Sequence, residues 1–145
     1  MAEPYVYDKA KYHYGGNYPE DLPEEQALVH TGMFLGWVID NDLYSDWFKE
    51  EMEGIITAFK AREMTGAKVY EECDGALVDD MLNEEGNAFA QAYFDFEKGK
   101  YIYDYEELLA QGLPSTYHVE DTWENYEIIT RRISDRYLEW KRKKA

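Results

Sequence analysis

A chain of 145 residues is long enough to bury a core without staples, and its one cysteine, Cys73, excludes an internal disulfide framework. A net charge of −16 opposes binding to nucleic acid or anionic lipid. The N-terminal stretch "MAEPYVYDKAKYHY" lacks the basic-then-apolar order of a secretion signal, and no apolar run reaches the roughly 18 residues of a membrane span, so a soluble cytoplasmic protein is expected.

The charge is uneven. Residues 131–145 hold seven basic residues and net +5, which leaves −21 on residues 1–130. Such a body attracts basic proteins.

Taken in chain order, helical signals dominate. In "EDLPEEQALVHTGMFLGWVIDND", Pro23 stands at a first-turn position, followed by Glu24 and Glu25, which suit the positive end of a helix dipole. Ala27, Leu28, Val29, Met33, Phe34, Leu35, Trp37, Val38 and Ile39 then make the segment apolar on nearly every side. This predicts a buried central helix over about 23–41. Gly32 and Gly36 lie on one face and permit another helix to approach closely. His30, Phe34 and Trp37 share a face at i, i+4 and i+7. Asp40 falls roughly 80° from that stripe, so it does not pair with His30. His30 is read as a core histidine with a local hydrogen-bond partner.

A second helix follows in "NDLYSDWFKEEMEGIITAFKAREMTG". Ser45 or Asp46 caps it, Trp47, Phe48, Met52, Ile55, Ile56 and Phe59 face inward, and Gly66 marks its end. Next come a short helix at 67–73, a turn at Asp74–Gly75, a helix from about Asn83 to Phe94, and another around Asp104–Ala110. "KGKYIYDY" reads alternatively as a short strand. The last helix, about 121–143, opens on Asp121 as cap with Glu124 as its reciprocal partner. Trp123, Tyr126, Thr130, Ile133, Tyr137 and Trp140 recur along it at intervals of 3 and 4, an aromatic seam. A short basic tail closes the chain at about 141–145. The fold class expected is all-α: one compact domain, 1–145, of five to six helices.

Catalytic motifs are sparse. The three histidines, His13, His30 and His118, are never three or four residues apart, and there is no HExxH or CxxC. The window Asp74–Glu85 has the length of a calcium loop but places Ala76 and Val78 at ligand positions and Asp79 where glycine is needed. No metal or other cofactor is expected. Ser45, Ser115 and Ser134 lie outside any nucleophile motif, and Cys73 sits beside Glu71, Glu72 and Asp74, which raise a thiol pKa. Carboxylate pairs are frequent, as 31 acidic residues make inevitable. One constellation stands out in "PSTYHVEDTWENY": His118 before a helix start, with Tyr117, Glu120 and Asp121 near it.

Three functional readings follow. In the leading one, an acidic surface of Glu71, Glu72, Asp74, Asp79 and Asp80 binds a basic protein partner without catalysis. In the second, the chain is an enzyme or small-ligand binder with a pocket lined by His13, Tyr14, His30, Trp37 and His118. In the third, the C-terminal aromatic seam dimerises, so the protein is a monomer or a homodimer. None involves nucleic acid or membrane.

The segments "YDKAKYHYGGNYPEDLPEEQALVHTGMFLGWVID", "AREMTGAKVYEECDG", "NEEGNAFAQAYF" and "GLPSTYHVEDTWENY" together resemble a family of small bacterial cytoplasmic proteins known only as a domain of unknown function. The resemblance spans roughly residues 5–140 and implies no catalytic residue. Small acidic proteins of this style are similar, by analogy, to immunity proteins that neutralise basic toxins between bacteria.

Overall fold

The computed structural model describes residues 5–10, 13, 18–20, 22–95 and 99–144. Among them, six α-helices surround a central one, and a two-stranded antiparallel ribbon closes one side. The chain is therefore mainly helical, as expected, with one small sheet that the all-α reading left out.

Strand β1 (Val6–Lys9) pairs with β2 (Ala76–Val78), matching Val6 with Val78, Asp8 with Leu77 and Lys9 with Ala76. A 3₁₀ turn over Glu24–Leu28 leads into helix α1 (Val29–Asp40), so the segment expected as one helix from 23 changes geometry at Val29. Every residue of α1 except Asp40 is buried, which is the outcome its apolar sides dictate.

The next predicted helix is two. Helix α2 (Asp46–Glu51) is capped by Ser45, whose Oγ accepts from the Phe48 N–H at 3.1 Å; Met52 breaks the regular backbone, and α3 (Glu53–Lys60) continues. Gly66 does not end this helix but begins α4 (Gly66–Glu72), with Thr65 as cap. The physical reason is across the interface. A Cβ on Gly32 would lie 2.6 Å from the Ala67 backbone, and Gly66 faces the Gly32 carbonyl, so α1 and α4 touch backbone to backbone. On the next turn of α1, Gly36 makes room for Phe59 and Tyr126.

The Asp74–Gly75 turn is present, with both residues at positive φ (62° and 63°), and β2 follows directly. After a 3₁₀ turn over Asp79–Met81 come α5 (Glu84–Tyr93), capped by Asn83, and α6 (Tyr101–Leu109). "KGKYIYDY" is thus helical from Tyr101 on: Tyr101 and Tyr105, four apart, both turn into the core.

A 3₁₀ turn at Thr116–His118 precedes the long helix α7 (Trp123–Lys144). Its cap is Thr122, whose Oγ1 accepts from the Asn125 N–H at 3.1 Å. Asp121, expected in that role, instead accepts a hydrogen bond from Thr65 Oγ1 at 2.7 Å. The aromatic seam of α7 is used within the chain. Trp123 and Tyr126 pack on Phe59, Tyr137 packs on Trp37, and Trp140 packs on Phe89. The basic residues from Lys141 onward continue the helix.

Candidate functional site

The site begins with an irregularity in β1. Tyr7 and Asp8 are adjacent and both buried, each covered by a different helix, at a register shift between Val6 and Asp8. Tyr7 points to α5, donating its hydroxyl to Asn87 Oδ1 at 2.6 Å. Asp8 points to α1 and is 2% exposed.

Asp8 meets three side chains there. Thr31 Oγ1 donates to its Oδ2 at 2.6 Å, and His13 Nε2 lies 3.0 Å from each carboxylate oxygen. His30 Nε2 stands 3.7 Å from Oδ2. On its other side, His13 Nδ1 is 2.7 Å from the Tyr117 hydroxyl. The result is a continuous line, Thr31–Asp8–His13–Tyr117. The rings of His13 and His30 meet edge to face at 4.7 Å.

Two anchors hold these parts. Gln26 Nε2 donates to the carbonyls of Tyr117 (2.8 Å) and Val119 (3.0 Å), fastening the 3₁₀ turn that carries Tyr117 to the entrance of α1. Tyr101, in α6, donates its hydroxyl to the His30 carbonyl at 2.5 Å. The cluster opens on a cavity of about 220 Å³ lined by His13, His30, Ile102, Glu106, Thr116 and Tyr117. Thr116 Oγ1 donates to Glu106 Oε1 at 3.1 Å.

Burial pushes the His30 pKa down to about 4; the nearby Asp8 charge opposes that shift, and His13 adds to it. His30 is therefore a neutral imidazole near pH 7. Burial, followed by the Asp8 charge, raises the Tyr117 pKa, so its resting form is the phenol. Asp8 is a buried carboxylate whose partners among the described residues are Thr31 and two histidines, with no lysine or arginine.

The structure brings together two of the five residues proposed to line a pocket, His13 and His30. Tyr14 lies outside the described residues. Trp37 sits further along α1, packed on Phe34 and Phe89, with its indole N–H donating to Ser134 Oγ at 3.0 Å. His118 is next to Tyr117 in sequence but does not line the cavity; its Nδ1 is 2.8 Å from Ser115 Oγ. Sequence reasoning missed Asp8 and Thr31, and named Tyr117 only as a neighbour of His118. His30 does have a carboxylate partner, though it comes from β1 rather than from its own helix. The expectation of no metal rested on local spacing, and the fold assembles what that spacing could not show. One ligand atom each from Asp8, His13 and His30 lie within 4.8 Å of one another.

The proposed acidic surface is less uniform than its sequence. Glu71 and Glu72 are exposed and share Lys68, at 2.8 and 3.9 Å. Asp74 and Asp80 are exposed, whereas Asp79 is half-buried, with its Oδ1 enclosed. Cys73 behaves as its neighbours imply: burial, then Asp74 and Glu72, push its thiol up to about 12.

The family model described as "Domain of unknown function (DUF7832)" matches residues 6–119. The chain belongs to this family. No curated protein and no solved structure matches it. The DUF7832 span contains Asp8, His13, His30 and Tyr117 and runs from β1 through the 3₁₀ turn at Thr116–His118, while α7 lies beyond it. No helix of the described residues is long and apolar enough to cross a membrane.

Proposed function

We propose that the chain binds a small polar molecule in the His13–His30–Tyr117 cavity and exchanges a proton with it. The observation that carries this reading is the part-buried hydrogen-bonded line from Asp8 through His13 to Tyr117, which ends at the cavity wall. Asp8 accepts from His13 Nε2–H and so selects the tautomer whose Nδ1 lone pair faces the Tyr117 O–H. When a bound molecule presents an acidic X–H to the Tyr117 oxygen, that oxygen takes the proton while passing its own to His13. The resulting imidazolium lies against the Asp8 carboxylate. At about 220 Å³ the cavity is below the roughly 300–1,000 Å³ of drug-sized pockets, so the occupant is small.

The test is a thermal-shift screen of small carboxylic acids, amides and amines against the wild type and Ile102→Trp, which fills the cavity. A compound class that raises Tm in the wild type only supports the reading. A panel that shifts neither protein removes it.

A second reading rests on charge. A cytoplasmic, immunity-type inhibitor would use the net −16, with Glu71, Glu72, Asp74 and Asp80 presented to a basic protein. Affinity capture at low and high salt, with the wild type and the variant Glu71→Lys, Glu72→Lys, Asp80→Lys, checks it. A basic protein retained by the wild type alone, and released as salt rises, supports the surface. Equal retention by both proteins excludes it.

A further inference from the structure

We infer that Asp8, His13 and His30 bind one divalent transition-metal ion of the zinc class, with its open coordination position facing the cavity. The inference rests on the reading of that cavity as the functional site and names what occupies its inner wall.

Four observations carry it. First, the donor set is two imidazoles and one carboxylate, which suits Zn²⁺, Co²⁺ or Fe²⁺ and not the all-oxygen preference of Mg²⁺ or Ca²⁺. Second, the spacing is close to what such an ion needs. Metal–ligand bonds of about 2.0–2.2 Å place tetrahedral ligand atoms about 3.4 Å apart. Here His13 Nε2 is 3.0 Å and His30 Nε2 3.7 Å from Asp8 oxygens, and the three atoms fall within 4.8 Å of one another. Side-chain rotation closes the remaining gap.

Third, the outer contacts that orient metal ligands are already in place. Thr31 Oγ1 holds Asp8 Oδ2 and the Tyr117 hydroxyl holds His13 Nδ1. Fourth, Asp8 is 2% exposed and is paired with no lysine or arginine among the described residues. A buried carboxylate is ordinarily paired with a cation or coordinates a metal. An ion bound here supplies the missing positive charge.

Binding also reorganises the relay. In the metal-free chain His13 Nε2 carries the proton donated to Asp8. A metal takes the Nε2 lone pair, so that proton resides on Nδ1 and is donated to the Tyr117 oxygen. The Tyr117 O–H then turns from His13 toward the cavity. The proton transfer from Tyr117 to His13 therefore belongs to the metal-free chain, and the His13 tautomer is what the metal changes. A ligand that reaches the open position through an oxygen or nitrogen atom is then held by the ion on one side and by the Tyr117 O–H on the other.

The test titrates zinc chloride alone into chelator-treated full-length protein by calorimetry, with cobalt absorption in the visible range to report coordination. The chain has 31 acidic residues and takes up cations weakly at its surface, so the variants decide. The expected result is one tight equivalent in the wild type, weakened at least about 100-fold in His13→Ala and about 10–100-fold in Tyr117→Phe, and unchanged in His118→Ala. His13 is 15% exposed, so His13→Ala remains informative even where a change at the buried His30 prevents folding. No tight equivalent in the wild type, or an equivalent retained in His13→Ala, overturns the inference. Tight zinc binding combined with an empty ligand screen sinks the cavity reading alone. Ligand binding by a chain that takes no zinc sinks the metal alone.

Discussion

Two carboxylates in this protein, Asp8 and Asp104, are buried to the same 2% and are kept in opposite company. Asp104 on α6 receives Arg132 Nη1 at 2.8 Å, Arg136 Nε and Nη2 at 3.0 Å, and the Tyr93 hydroxyl at 2.7 Å. Burial works to raise its pKa, but the hydrogen bonds from Arg136, Tyr93 and Arg132 outweigh burial and hold it below its ordinary value. Asp8 has a hydroxyl and two imidazoles instead. A guanidinium is charged at every accessible pH, so Asp104 is a permanent tie between α6 and α7. Among the described residues Asp8 has no such permanent cationic partner. Equal burial therefore does not mean equal purpose; the partners decide.

The largest expected effect lies on the structural side. Asp104→Ala leaves Arg132 and Arg136 with only the exposed Glu107 (2.9 Å) and Glu139 (3.6 Å) as carboxylate partners and should cost about 2–4 kcal/mol in urea denaturation. That range is kept below the figure for a fully enclosed pair because Arg132 and Arg136 remain 28% and 26% exposed. If Asp8→Asn costs as much, the contrast fails.

The pH dependence sharpens it. Because the folded pKa of Asp104 is depressed, the unfolded chain takes up this proton first as pH falls. The Asp104 contribution is whole above the unfolded value near 3.8 and is lost as pH drops through the lower folded value. The stability gap between wild type and Asp104→Asn, measured at pH 7 and again near pH 3, should therefore shrink. A gap that stays constant would show that the carboxylate charge is not what ties the helices.

On the Asp8 side the stability effects are smaller. Tyr117→Phe removes one hydrogen bond and should cost about 0.5–1.5 kcal/mol, while freeing His13 to change tautomer, which imidazole ¹⁵N shifts would report. Asp8→Asn keeps an acceptor for Thr31, so its cost should stay under about 1 kcal/mol in metal-free protein. The smallest change is expected at the surface. Glu71→Gln with Glu72→Gln breaks only the exposed pairs to Lys68 and should move stability by less than about 0.5 kcal/mol.

What could be read in the sequence was whatever depends on near neighbours. The apolar sides of α1, the aromatic spacing of α7, the Ser45 cap and the Asp74–Gly75 turn each follow from a few adjacent residues. What escaped depends on residues far away. Gly66 has the composition of a helix terminator, and only Gly32 across the interface makes it a contact point. Asp121 and Thr122 are both able caps; Thr65, on another segment, engages the first and leaves the second to serve. The strands are three and four residues long, and the shift beside Tyr7 destroys the alternation that would betray one of them. The site follows the same rule. Three histidines in a chain attract notice, and two of them belong to the cluster. Asp8 is one of 31 acids, and nothing near it in sequence marks it.

The pairing of Val6 with Val78 closes a loop of some seventy residues with a ribbon only three or four residues long. Closing such a loop opposes docking by about 4 kcal/mol beyond a constant, and so short a ribbon returns little of that. The contacts of Tyr7 and Asp8 with the helices are what keep the strand in place. The first strand should therefore open more readily than the helical body, its amides exchanging hydrogen sooner than those of α1. An occupant bound to Asp8 would hold that strand against opening. Its presence would be legible as slowed exchange along Val6–Lys9 and Ala76–Val78, even where it leaves the helices untouched.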